Sequence, residues 1–170
     1  MKRALLIISM ISVSLSAQAQ FKLGVNVGLP VNDLSKYYST QLGADAYYMF
    51  GDPDNVLQFG VTAGYMNFLE DDAQISNNKF DVYASQYIPA AVVGRITILD
   101  LVILGPDIGY AFGIDQSDNS GFYYRGMAGL KFGAIELGFY YLSLANEITL
   151  EDATGNPSSL GVSLCFDFGD

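Results

Sequence analysis

The sequence has no histidine and no tryptophan, a single cysteine at Cys165, and 8 Lys+Arg against 18 Asp+Glu in 170 residues. Without histidine, an imidazole base, a Ser-His-Asp triad and zinc sites of the Cys/His type are excluded. A lone cysteine excludes an intramolecular disulfide. The shortage of basic side chains leaves no face to displace counterions from phosphates, so nucleic acid is not a partner. Charge of either sign is scarce, at 15% of residues, whereas hydrophobic residues reach 51%. The mean hydropathy of +0.26 is too apolar for an ordinary acidic soluble protein. The length suits one domain.

Only the beginning of the chain carries a long apolar run. Lys2 and Arg3, the run Ala4–Val13 and the small residues Ala17-Gln-Ala19 form a secretory signal peptide over 1–19, cleaved after Ala19. The apolar run is far shorter than the roughly twenty residues a spanning helix needs. No cysteine follows it, which argues against a lipid anchor. Residues 20–170 then form the mature domain, with a charge of −12 once the two basic residues are removed.

That domain alternates apolar and polar residues repeatedly. Phe21, Leu23, Val25, Val27 and Leu29 share one face of the first strand, and Lys22, Gly24, Asn26 and Gly28 the other. Seven further strands are predicted at about 40–50, 56–67, 86–97, 101–112, 122–132, 135–143 and 159–168. The gaps 30–39, 68–85, 113–121 and 144–158 are long, and those near 52–55, 99–100 and 133–134 are short. This alternation predicts an all-β, eight-stranded up-and-down antiparallel transmembrane barrel, with short periplasmic turns and long extracellular loops.

Side-chain parity refines the hairpins. A turn at 52–55 pairs Phe50 with Leu57, Tyr48 with Phe59 and Ala46 with Val61. A turn at 133–134 pairs Phe132 with Ile135, Leu130 with Leu137 and Lys131 with Glu136. A three-residue turn at 98–100 turns Arg95 inward, which a two-residue turn does not.

The polar face carries Lys22, Asp45, Arg95, Asp107, Arg125, Lys131, Glu136 and Asp167, four charges of each sign, set among glycines. A neutral, glycine-rich face suits a cramped interior of ion pairs, so these eight are assigned to the lumen. The apolar face is aromatic toward both strand ends, with Phe21, Tyr48, Phe50, Phe59, Tyr110, Phe112, Tyr124, Phe132, Tyr141, Phe166 and Phe168 among its members. Two aromatic girdles on a lipid-facing surface have this form. The alternative is a soluble, secreted, lipocalin-like barrel binding an apolar ligand, which requires the aromatic face to point inward.

The opening Phe21-Lys-Leu-Gly-Val-Asn-Val-Gly28, the stretches Tyr87-Ile-Pro-Ala-Ala91 and Leu104-Gly-Pro-Asp-Ile-Gly109, and the closing Leu160-Gly-Val-Ser-Leu-Cys-Phe-Asp-Phe168 resemble the small outer-membrane β-barrel family of Bacteroidota, PorT-like proteins included. The resemblance implies a Gram-negative outer-membrane location, insertion by the outer-membrane assembly machinery and, as for most members of the family, no known activity, so no enzymatic function is expected.

Candidates for chemistry are few. A Ser-Lys dyad could draw only on Lys22, Lys36, Lys79 and Lys131. Eight strands enclose a space that side chains fill, Tyr47, Met49 and Tyr140 among them, so a solute pore is not expected. No catalytic residue, cofactor or firm metal site is expected. The long gaps nevertheless carry ten acidic residues against Lys36 and Lys79. Glu70, Asp71, Asp72, Glu151 and Asp152 are the candidates for holding Ca²⁺, with lipopolysaccharide phosphates or an external partner beyond it.

Overall fold

Alternation along the chain becomes backbone pairing in the computed structural model, which describes residues 20–31, 35, 38–51, 55–70, 85–114, 120–145, 148–150 and 153–169. The strands are β1 (Gln20–Val31), β2 (Tyr38–Phe50), β3 (Leu57–Glu70), β4 (Ser85–Ile98), β5 (Val102–Gly113), β6 (Gly121–Phe132), β7 (Ile135–Ala145), β8 (Ile148–Leu150), β9 (Ala153–Gly155) and β10 (Ser158–Asp167). Eight of them close into one antiparallel barrel in the order β1-β10-β7-β6-β5-β4-β3-β2. Because β1 pairs with both β2 and β10, the barrel has no free edge, and every ladder finds its partners internally. The strands β8 and β9 pair with each other, so the connection expected as plain loop over 144–158 contains a small hairpin. The signal-peptide assignment over 1–19 lies outside the described residues.

Strand bounds leave 32–37, 71–84, 114–120 and 146–157 as the connections at one end, and 51–56, 99–101 and 133–134 at the other. The first gap is therefore shorter than expected. Pairing of β1 with β10 continues through Pro30↔Ser159 and Val31↔Ser158, beyond the last alternating apolar residue.

Each turn-end hairpin answers its parity argument differently. Phe132↔Ile135, Lys131↔Glu136 and Leu130↔Leu137 pair as expected around 133–134, where Gly133 takes a φ of +57°. Between β2 and β3 the register slips by two residues, to Phe50↔Phe59, Tyr48↔Val61 and Ala46↔Ala63. An even slip leaves every side chain on its assigned face, so the facing survives while the pairs change. Between β4 and β5 the turn has three residues, but over 99–101, one later than expected, closing on Ile98↔Val102. Arg95 still points inward and is buried. The Ile98 carbonyl accepts a hydrogen bond from Leu101 N at 3.2 Å, with Leu99 at φ 56° and Asp100 at φ 53° between them. Two consecutive positive φ values are ordinary for Asn-Gly. They strain Leu99, at roughly 1–2 kcal/mol for a side chain with no local hydrogen bond to offer.

The apolar face points outward on all eight strands of the barrel. Val25, Phe59, Val92, Ile108, Leu130, Leu137 and Leu164 are all exposed around the barrel wall. Outward aromatics gather toward the turn end, as in Phe21–Phe168 and Tyr48–Phe50, and toward the loop end, as in Tyr110–Phe112 and Tyr124–Tyr141. The lipocalin-like alternative needed these side chains inside and is corrected: they face outward, and the lumen is already filled by charged groups and by a different set of aromatic and aliphatic side chains. Glycines on the inner face make that occupation fit. A Cβ at Gly28 would lie 2.7 Å from the Tyr140 hydroxyl, and one at Gly64 would lie 2.4 Å from Asp45 Oδ1.

Candidate functional site

The lumen is where the charged side chains converge. Arg125 on β6 is its centre. Its Nε and Nη2 donate to Asp107 Oδ2 on neighbouring β5 at 2.8 and 2.6 Å, and its Nη1 crosses the barrel to Asp45 Oδ2 on β2 at 2.8 Å. Arg95 Nη1 reaches the other oxygen of Asp107 at 2.5 Å and also donates to the Pro106 carbonyl at 3.3 Å. Proline in mid-strand donates nothing to the ladder, and its carbonyl meets the guanidinium from inside.

Tyr47 lies between the two arginines, each guanidinium carbon 5.8 Å from its ring centroid, and its hydroxyl accepts from Arg125 Nη2. Both cations thus lie against one aromatic ring while sharing the Asp107 carboxylate. From Asp45 the network runs toward the loop end: Asn26 Nδ2 donates to Asp45 at 2.8 Å and Gln41 Nε2 to Asn26 Oδ1 at 2.8 Å. The hydroxyls of Tyr140 and Ser159 donate to Gln41 Oε1 at 2.5 and 3.2 Å.

A second cluster sits toward the turns. Lys22 Nζ on β1 is 2.5 Å from Glu136 Oε1 on β7 and 3.0 Å from Asp167 Oδ2 on β10. It therefore clamps the seam where the first and last strands meet. Between the two clusters a cavity of about 20 Å³ remains, lined by Lys22, Asp45, Tyr47, Arg95, Glu136 and Cys165 among others, with room for about one water molecule.

Seven of the eight charges assigned to the lumen are buried there and ion-paired: Lys22, Asp45, Arg95, Asp107, Arg125, Glu136 and Asp167. Lys131 is different. It lies directly across from Glu136, yet it is half-buried and makes no ion pair among the described residues. Glu136 turns instead to Lys22, two strands away, because in so narrow a lumen a long lysine side chain reaches across the intervening strand β10. From the rim beside 133–134, the long Lys131 side chain can keep its charge toward water.

The loop-side part of the lumen is closed by a different set. Tyr38, Met66, Phe68, Tyr87, Tyr123, Leu142 and Leu144 pack with Ala91, Ala111 and Tyr140 into one buried cluster. None of the first seven was assigned inward from the sequence. Period two would have found six of them: Phe68 shares its face with Gly64, Tyr123 with Arg125, and Leu144 with Glu136. Tyr38 could not be found that way, because the register shifts between Tyr38 and Thr40 and a bulge turns it in.

Chemically this interior is a set of mutually satisfied charges. Its carboxylates are occupied by cations, and Lys22 is held by two acids. Among the described residues no three His, Cys, Asp or Glu side chains come together in a way that could hold a metal ion. The Ca²⁺ candidates Asp71, Asp72, Glu151 and Asp152 lie outside the described residues, as does the Glu70 side chain at the end of β3.

No protein-family model matches the chain, and no curated protein does. Among solved structures it is similar to the Yersinia pestis outer membrane protein Ail in a phospholipid bilayer nanodisc, at 16% identity and a TM-score of 0.46 over 86% of this chain and 99% of that one. It is similar also to the crystal structure of Ail, the attachment invasion locus protein of Yersinia pestis, at 13% identity and a TM-score of 0.45 over 87% of this chain and 97% of that one.

Proposed function

We propose that the chain is a non-enzymatic, integral outer-membrane barrel that presents its acidic loops at the cell surface. The observation that carries this reading is the outward belt. A closed eight-stranded barrel exposes large apolar side chains on every strand, bounded by aromatics at both ends, and a soluble monomer does not leave so continuous a surface in water. The filled lumen supports a structural rather than a conducting role. In this reading, export follows the signal peptide over 1–19, the assembly machinery inserts the barrel, and outer-membrane lipid with lipopolysaccharide surrounds it. Glu70, Asp71, Asp72, Glu151 and Asp152 then belong to the surface offered to cations or to an external partner.

Heat-modifiability tests it. An unboiled sample in SDS migrates apart from a boiled one, and the protein fractionates with outer membrane. Recovery in the soluble periplasmic fraction without detergent overturns the reading. Val25→Asp and Leu137→Asp, on the belt, each weaken assembly into lipid by up to about 2–4 kcal/mol.

A further inference from the structure

We propose that the β4–β5 turn over 99–101 is an interfacial anchor that seats one side of the barrel in the lipid leaflet at its turn end. The inference deepens the membrane reading and rests on it.

The turn presents Ile98 at 44%, Leu99 at 90% and Leu101 at 41% exposure, three aliphatic side chains on one tip. Val56 extends the patch, since its carbonyl accepts from Thr97 N at 2.8 Å and ties the neighbouring connection to the end of β4. The backbone makes the choice of residue telling. Leu99 holds a φ of 56°, where glycine or asparagine would sit relaxed, so this position carries a large apolar side chain in spite of its conformation.

Elsewhere the turn end carries aromatics: Phe21, Tyr48, Phe59, Phe132 and Phe166 face outward on β1, β2, β3, β6 and β10, and on β7 Ile135 sits between Phe132 and Phe166. The sector of β4 and β5 has none there and shows Ile96, Ile98, Val102 and Leu104 instead. Aromatic rings favour the headgroup boundary and aliphatic chains the hydrocarbon beneath it. The leucines continue the apolar belt directly past that gap in the girdle. Lipid is therefore the occupant the surface fits, being continuous with what covers the belt above. Asp100, between the two leucines, keeps the tip at headgroup depth and stops it from sinking further. The other turns offer no such tip: 51–56 carries Asp52 and Asp54, and 133–134 is Gly-Ala.

The absence of tryptophan from the sequence supplies a clean test, since any introduced indole is the sole reporter. Leu99→Trp, Asn55→Trp and Leu137→Trp are made singly in the mature chain and refolded into phosphatidylcholine vesicles, with or without chains brominated at the carbons nearest the headgroup. For Leu99→Trp, the emission shifts to the blue of that from Asn55→Trp, is lost in brominated lipid and resists aqueous iodide. Leu137→Trp, on the belt, behaves likewise. Emission from position 99 as red and as iodide-sensitive as from 55, with 137 still quenched by bromine, overturns the anchor and leaves the membrane reading intact. Aqueous behaviour at 137 as well overturns both. Blue emission at 99 without bromine quenching means that protein covers the turn, and also overturns the proposal. If Leu99→Trp does not assemble, Leu101→Trp reports on the same tip.

Discussion

The two halves of the lumen fill the same narrow space by opposite means. Toward the loops, Phe68, Tyr87, Tyr123, Leu142 and Leu144 close it by size. Toward the turns, Lys22, Arg95 and Arg125 close it with four carboxylates and a minimum of bulk. A packed aromatic plug needs volume and tolerates some exchange of shape. A buried ionic network needs each partner, since one deletion leaves a charge without water or counter-charge. The contrast teaches that the loop-side half is robust and the turn-side half is exacting. It also places the exacting half where β1 meets β10, so that the Lys22 clamp reports correct closure of the sheet.

The largest expected effect comes from breaking the exacting half at its centre. Arg125→Ala strips Asp45 of its cation and leaves Asp107 with Arg95 alone, costing about 3–5 kcal/mol. The readout is the urea midpoint of the barrel refolded in detergent micelles. Adding Asp45→Asn in the same chain recovers part of the loss. A loss no greater than a surface substitution gives would make the halves equivalent and end the contrast.

Leu144→Ala, in the plug, costs about 2–5 kcal/mol by leaving a cavity, with the same readout. Leu144→Met is expected below about 1.5 kcal/mol, because volume is nearly kept. Arg125→Lys is not mild in the same sense, since an ammonium cannot fork between Asp107 and Asp45 while resting on the Tyr47 ring. Equal tolerance of both conservative exchanges would show that geometry matters no more in one half than in the other.

The smallest effect belongs to Lys131→Ala, at about 0–1 kcal/mol, as for an exposed pair or none. A double-mutant cycle sharpens this. Lys22 and Glu136 show strong coupling, and Lys131 and Glu136 almost none. Coupling of Lys131 to Glu136 would mean that the cross-strand neighbour, not the clamp across the seam, holds that carboxylate.

Strand positions, facing and charge burial were legible in the sequence because the pleat imposes period two on every residue of a strand. Phe21 to Leu29, or Ala128 to Lys131 facing Glu136 to Phe139, need no tertiary information to be placed. The same rule carried Arg95 inward through an irregular turn and kept the β2–β3 facing right even though the pairs slipped by two. It also held the loop-side plug, in Phe68, Tyr123 and Leu144. There the search for a polar interior drew attention to glycines and charges and away from large apolar residues on the same face.

What the sequence by itself determined is therefore the alternation: how many strands build the barrel, which face of each points in, and that the outer surface is apolar. Parity is local, and local information suffices for it. Tertiary structure alone decided who pairs with whom across the lumen. Glu136 chose Lys22 over the facing Lys131, and Arg125 met Asp45 from the far wall, because closure of eight strands leaves a lumen narrow enough for side chains of non-adjacent strands to meet. It alone decided the inward turn of Tyr38, which follows a bulge, and the positive φ of Leu99, which follows from how β4 and β5 meet. Distances across a closed barrel are a property of the closure, and no spacing along the chain encodes them.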